Sequence, residues 1–343
     1  WLTEQSGLGT ALKALWTDFL KLLPEHAGSA EAENLSASRF KFSENDVPVD
    51  LLKELPLTVL FYEGPIARAY LACMRGLGLK PRKIIQLIAA NDIAGGKPLG
   101  RYLPEVLRKP YAQYIQKYRI HYWPRRLATR YGALCKTVLN AVDIHLHFTA
   151  TMTASAQALS DLSEYCDHIE PLLVRNLADV RLGDYLRHEP GGGSLYTGGG
   201  IVSASLLSIP GLRFIHIHPG FLPAIRGADC ALWSLLLKRR LSASCFYMSG
   251  GIDTGDIIIA RWLPEISVPF QTAGIDTKML YRAVYSYLDP WVRAFVLREL
   301  LASHDRFAGI ECRAQHADEG TDFHFMHSNL TAEALRVLFA EKV

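Results

Sequence analysis

Two histidines and one aspartate stand out by type and spacing. In Phe214 to His218, reading FIHIH, the two-residue repeat of a strand sets Phe214, His216 and His218 on one face and Ile215 and Ile217 on the other. Pro219 and Gly220 stop that strand, which puts both imidazoles at its carboxyl end, where open α/β sheets hold their ligands. About 35 residues further on comes GGIDTGD, between the strand-like runs Ser244 to Met248 and Ile257 to Ala260. Asp253 thus lies in a glycine-bracketed loop, free to face a histidine. A carboxylate beside an imidazole favours the protonated ring and takes or returns a proton. Asp256 reads more simply as a turn residue. Upstream, Gly191 to Gly193 and Gly198, Gly199 and Gly200 flank the strand-like Ser194 to Thr197, and such glycines let backbone amides come close to an anionic ligand.

The elements that must position these residues follow from periodicity. Leu57 to Tyr62 (LTVLFY) is a short buried strand, and a helical run through Ala67, Leu71 and Met74 leads to a second strand at Lys83 to Ile88 (KIIQLI). That βαβ unit seeds an open, mostly parallel α/β sheet. Its first turn holds the single glycine Gly64, so the dinucleotide fingerprint is absent. An amphipathic helix is expected over Leu12 to Leu23 and a connecting segment over residues 26–50. Residues 132–187 read as mainly helical, with a strand at Val142 to Phe148. The C-terminal part should hold a helix from Lys278 to Ser303 with Leu280, Val284, Leu288 and Val292 inward. Two short strands about an Asp318-Glu319-Gly320 turn and a helix from Thr331 to Leu338 should follow.

Composition narrows the classes. The 343 residues are 49% hydrophobic and 21% charged, enough apolar surface for about two domains and against long-range disorder. Lys plus Arg exceed Asp plus Glu by 37 − 34 = 3, too few for a general polyanion binder, so any nucleic-acid contact is local. The candidate is residues 101–131, with eight Lys or Arg against Glu105 and interleaved Tyr102, Tyr111, Tyr114, Tyr118, Tyr122 and Trp123. It reads either as a stacking and phosphate-binding surface or as a solvated helix with its tyrosines inward. The six cysteines form no CxxC pair, and no apolar run reaches membrane-span length. The expectation is a cytoplasmic protein with reduced thiols and no membrane segment.

HIHPGFLPAIRG, then ALWSLL, then GGIDTGDII resembles the signature of the folate-dependent formyltransferases, the group containing glycinamide ribonucleotide, methionyl-tRNA and nucleotide-sugar formyltransferases. The likeness is strongest over residues 194–262. It implies an open Rossmann-like α/β fold, a catalytic domain over 51–265 with an insertion at about 98–187, an N-terminal helical extension over 1–50 and a C-terminal helical and α+β module over 266–343. It further implies transfer of formyl from 10-formyltetrahydrofolate to an amine of a small-molecule or nucleotide-linked acceptor. His218 and Asp253 match the family's catalytic histidine and aspartate. His216 stands where the family has a catalytic asparagine that donates to the formyl oxygen. The resemblance also implies a pterin site near Gly198, Gly199, Gly200, Ile201 and the Ile252 loop, with Arg226 and Gly227 shaping its mouth.

At His216 an imidazole either donates one hydrogen bond, as the amide would, or serves as a base or metal ligand. Three other readings stay open: a metal-dependent hydrolase using His145-x-His147 and His216-x-His218, a formyltetrahydrofolate hydrolase, and a folate-binding protein without transfer activity.

Overall fold

The computed structural model describes residues 47–92, 96–189, 191–199 and 202–339. The helix expected at 12–23 and most of the N-terminal extension lie outside the described residues. Strands β1 (Lys53–Tyr62), β2 (Leu79–Ala89), β3 (Ile169–Val174), β4 (Gly192–Tyr196), β5 (Leu212–His218), β7 (Ser242–Tyr247) and β8 (Ile257–Trp262) form one sheet in the order β3-β2-β1-β4-β5-β7-β8. The first five are parallel, and β7 and β8 continue the sheet antiparallel. This is the open, mostly parallel α/β architecture expected. The strand order reverses between β1 and β4, the position at which such sheets open a crevice beyond their carboxyl ends.

Both faces are covered, which is why β1 reads as an unbroken apolar run rather than an alternating one. One face packs on α1 (Pro65–Gly76) and α10 (Asp289–Ser303), around Leu57, Val59, Phe61, Ile84, Ile215 and Ile217, with α4 (Gly132–Leu146) and α5 (Ala150–Ala158) packed against those helices in the same core. The other packs on α6 (Val180–Arg187) and α7 (Ala204–Leu207), around Leu60, Ile85, Leu87 and Phe214. Between β2 and β3 run α2 (Glu105–Ile120) and α3 (Tyr122–Arg130), followed by α4 and α5. The stretch 98–187 therefore supplies helices and also β3, the edge strand beside β2.

Two local expectations change. Val142 to Phe148 is not a strand: Leu134, Cys135, Val138, Ala141 and Val142 are buried at helical spacing, α4 continues to Leu146, and His147 closes it at φ 56°. A short apolar run does not by itself separate a strand from the end of a buried helix. The tyrosines of α2 and its approach do not turn inward, Tyr102 being 83% and Tyr114 66% exposed.

The long C-terminal helix is interrupted. Helix α9 (Thr277–Ala283) passes through a π-helical turn, Val284–Leu288, into α10. Pro290 has no N–H to give to the preceding turn, so the ladder widens there. Of the two short strands expected near residue 318, the structure forms β9 (Thr321–Phe323), which pairs with β6 (Ile225–Gly227). Helix α8 (Cys230–Lys238) follows β6, and α11 (Ser328–Phe339) packs on α8. No helix of the described residues is long and apolar enough to cross a membrane.

Candidate active site

Strand β5 outruns one of its neighbours. Its pairing with β4 ends at Leu195 opposite Ile215, while its pairing with β7 continues to His218 opposite Ser244. His216, Ile217 and His218 therefore overhang at the crevice. The Phe214 carbonyl accepts from the Met248 N–H toward β7 at 2.8 Å, and by alternation the Ile217 carbonyl faces the overhung edge. There Arg293 of α10 donates to it from Nη1 at 2.7 Å, in place of the missing strand bond.

His218 is buried at 3% exposure and has both ring nitrogens engaged. Nδ1 lies 3.2 Å from Asp253 Oδ2, and Nε2 lies 3.2 Å from the Ile225 carbonyl. A carbonyl only accepts, so Nε2 carries a proton. The Nδ1 to Asp253 contact then needs a proton of its own, held on the ring or on the acid. Gly220 makes the Nε2 contact possible: a Cβ there would stand 2.6 Å from Nε2 and 2.5 Å from the Ile225 oxygen.

Asp253 is held from several directions. Its Oδ2 accepts from the Gly227 N–H at 3.1 Å, and its backbone carbonyl accepts from Gln315 Nε2 at 3.0 Å. Its φ of 54° is left-handed, a conformation that Asp adopts more readily than most side chains but that still costs energy and clusters at functional sites. Gly227, at φ 99°, could not be replaced without striking Phe323 of β9. The β6–β9 pair thereby fixes the amide that grips the carboxylate.

The ring of His216 lies between Tyr196 and Phe246, with centroids 5.9 Å away on each side. Its Nδ1 meets the Tyr196 carbonyl at 3.2 Å. Burial, and after it the Arg293 cation, push His216 down to about 4 and His218 down to about 3. Burial pushes the Asp253 carboxyl up, against the pull of the Gly227 amide. All three shifts favour uncharged forms. Arg293 itself stays charged because Asp289 Oδ2 lies 2.8 Å from its Nε.

Of the residues singled out in the sequence, the structure brings together His216, His218, Asp253 and Gly227. Arg226, buried, pairs with Asp322 at 3.1 Å and joins the β6–β9 support. Ile252, 58% exposed, stands at the rim beside Asp253. Gly198 follows β4, and the Gly199 carbonyl accepts from the Tyr196 hydroxyl at 2.7 Å. Gly200 and Ile201 lie outside the described residues. A cleft of about 440 Å³ lined by Tyr62, Arg175, Asn176, Tyr196 and Gly199 opens at the ends of β1 to β4. A second, of about 340 Å³, is lined by Arg213, Met248, Thr254 and Asp256. His145 lies within α4 and accepts from the Ser267 N–H. Among the described residues no three His, Cys, Asp or Glu side chains group closely enough to hold a metal.

Sequence reasoning missed Arg293, Gln315 and Asp229. The last accepts from the Tyr281 and Tyr285 hydroxyls and the Met326 N–H, so it ties the start of α8 to α9, to the π-helical turn and to the segment before α11. Arg293 had a signal: with Asp289 it forms an i, i+4 charge pair at the start of a mostly apolar helix. Gln315 had none.

Fold and site together define an open, mostly parallel α/β protein with a buried His–Asp pair at the carboxyl edge of its sheet. No family model matches the sequence. The chain is 37% identical over 67 residues to a methionyl-tRNA formyltransferase from Syntrophus aciditrophicus, covering 19% of this chain and 22% of that protein. It is 37% identical over 82 residues to one from Ruminiclostridium cellulolyticum, covering 24% of this chain and 26% of that protein. The chain thus matches about a quarter of the length of these relatives. A 4-N formyltransferase from Francisella tularensis overlaps in structure at 14% identity and a TM-score of 0.35, over 80% of this chain and 76% of that one.

Proposed function

We propose that the protein transfers a formyl group from a folate, 10-formyltetrahydrofolate, to an amine of a small-molecule or nucleotide-linked acceptor. The observation that carries this reading is the buried His218–Asp253 pair, 3.2 Å apart at the end of β5 with His216 beside it. Acyl transfer to an amine asks the protein to move a proton off the attacking nitrogen and to hold charge on the formyl oxygen. Titratable groups kept near neutrality in a desolvated pocket suit the first task. The local likeness to methionyl-tRNA formyltransferases supports the same reading. In it the cleft at the ends of β1 to β4 takes the folate against the Gly198–Gly199 turn, with the exposed Ile252 on the loop that carries Asp253.

The test supplies 10-formyltetrahydrofolate carrying a labelled formyl carbon together with a panel of amino sugars, amino acids and nucleotide-linked amines. Label in an N-formyl product is the expected outcome. Label recovered only as formate moves the assignment to hydrolysis, and no consumption of a bound folate moves it to a non-catalytic homologue.

A further inference from the structure

His216 is where the chain departs from the formyltransferase pattern, and the structure constrains what its ring can do. Its Nδ1 faces the Tyr196 carbonyl at 3.2 Å, an oxygen that accepts and never donates. The proton of the neutral ring therefore resides on Nδ1, and Nε2 presents a lone pair. Tyr196 and Phe246 hold the ring from two sides, which opposes the flip that would exchange the nitrogens. Nε2 meets no hydrogen-bond partner among the described residues, and the ring is half-buried rather than sealed. A neutral ring in this tautomer has no hydrogen to offer an oxyanion. An asparagine amide at this position would offer one.

Resting on the transfer reading above, we propose that His216 is the proton acceptor for the attacking amine, its Nε2 taking the proton, and not a donor to the formyl oxygen. The amine nitrogen bonds to the formyl carbon while the C=O π pair moves onto oxygen, leaving an N–H proton in excess on the now cationic nitrogen. Nε2 takes that proton and becomes imidazolium, still donating from Nδ1 to Tyr196. The oxygen pair then re-forms the C=O bond and the bond from carbon to the folate nitrogen breaks. That nitrogen takes the proton from Nε2, so the formamide, the free folate and a neutral His216 result.

The surroundings fit a transient base. From α10, Arg293 lies close enough to oppose a resting positive charge on His216; from the β7–β8 loop, Asp253 favours one; from β5, His218 opposes it; and from β4, the Tyr196 carbonyl holds the Nδ1 proton. Burial tips the balance to the neutral ring. The imidazolium formed in transfer is thus pressed to give its proton up.

The experiment reads the tautomer before it reads turnover. In protein with ¹⁵N-labelled histidine, long-range ¹H–¹⁵N spectra between pH 5.5 and 8 are expected to show His216 as the Nδ1–H tautomer, assigned by its loss in His216→Asn. An Nε2–H tautomer or an imidazolium at pH 7 overturns the proposal. In single-turnover transfer, His216→Asn should fall at least about 10²-fold, the range for a lost general base, with affinity for a folate analogue within about threefold and melting close to native. A His216→Asn protein that keeps most of its rate overturns it as well. Because the tautomer needs no substrate, the two failures are distinguishable: native protein with the Nδ1–H tautomer that transfers formyl to nothing removes the transfer reading and with it the amine as proton source, whereas active protein with the other tautomer overturns the role of His216 alone.

Discussion

Two histidine–carboxylate pairs are buried at the carboxyl edge of this sheet, and they are opposites. At the end of β1, Glu63 takes both prongs of Arg68, at 2.9 and 2.7 Å, and His121 Nε2 at 2.9 Å. Against the cost of its burial, His121 and Arg68 hold its carboxyl down to about 2. At the end of β5, Asp253 faces His218 and one amide, and its carboxyl is pushed up. The difference is where the guanidinium points. Arg68 lies on the carboxylate and quenches it. Arg293 bonds the Ile217 carbonyl and Asp289 and makes no hydrogen bond to Asp253, so its charge pulls that carboxyl down only from a distance and burial outweighs it. A fully paired carboxylate is a structural joint between β1, α1 and α3, whereas a half-satisfied one whose proton sits between two groups is chemically usable.

The largest effect should come from breaking the quenched pair. Glu63→Gln leaves the Arg68 guanidinium, 2% exposed, without its counter-charge, and losing one partner of a buried ion pair costs about 3–5 kcal/mol. Chemical denaturation should show that loss, with folate-analogue affinity unchanged in the protein that remains folded. A Glu63→Gln protein of native stability would mean that the two clusters are more alike than their geometry says. Asp253→Asn should do the reverse. It keeps the volume and removes the titratable oxygen, so turnover should drop at least about 10²-fold, near 3 kcal/mol of barrier, while denaturation midpoints move little. Near-native turnover would take Asp253 out of the chemistry.

How much of this contrast could be read from the chain depended on sequence distance. His216, His218 and Asp253 lie on one strand and the first loop beyond its antiparallel neighbour, so period-two patterning and glycine brackets were enough to bring them together. The βαβ start was legible for the same reason. What decides their chemistry comes from far away: Arg293 and Gln315 arrive from the C-terminal segment, and the Tyr196 carbonyl is a backbone atom that no residue type advertises. The run at Val142 to Phe148 misled because the last turn of a buried helix and a buried strand share one apolar pattern. At α2 residue type misled as well, since tyrosine suits both core and surface and only packing showed Tyr114 and Tyr118 outside, 49% exposed in the latter.

The smallest effect expected is also the one that separates the two clusters by pH alone. His216 and His218 titrate near 4 and 3 when folded and near 6.5 when unfolded. Between pH 6.5 and about 4 the unfolded chain therefore binds protons that the folded chain refuses, and stability falls as the pH falls. Asp253 works the other way: its raised carboxyl binds a proton in the folded state first, which offsets part of the loss. Glu63 contributes nothing in the upper part of this window, because its stabilisation is present above its unfolded value near 4.5 and is lost only as the pH drops toward 2. Melting followed from pH 7 to 5 should thus report the β5 end. In His216→Asn, which no longer titrates, the decline over that interval should shrink by about 1–2 kcal/mol, set by the 1.4 kcal/mol that each pH unit carries per proton. If native and His216→Asn proteins lose stability in parallel, His216 keeps an ordinary pKa when folded, and the reason for placing a neutral, proton-accepting imidazole at the tip of β5 is gone.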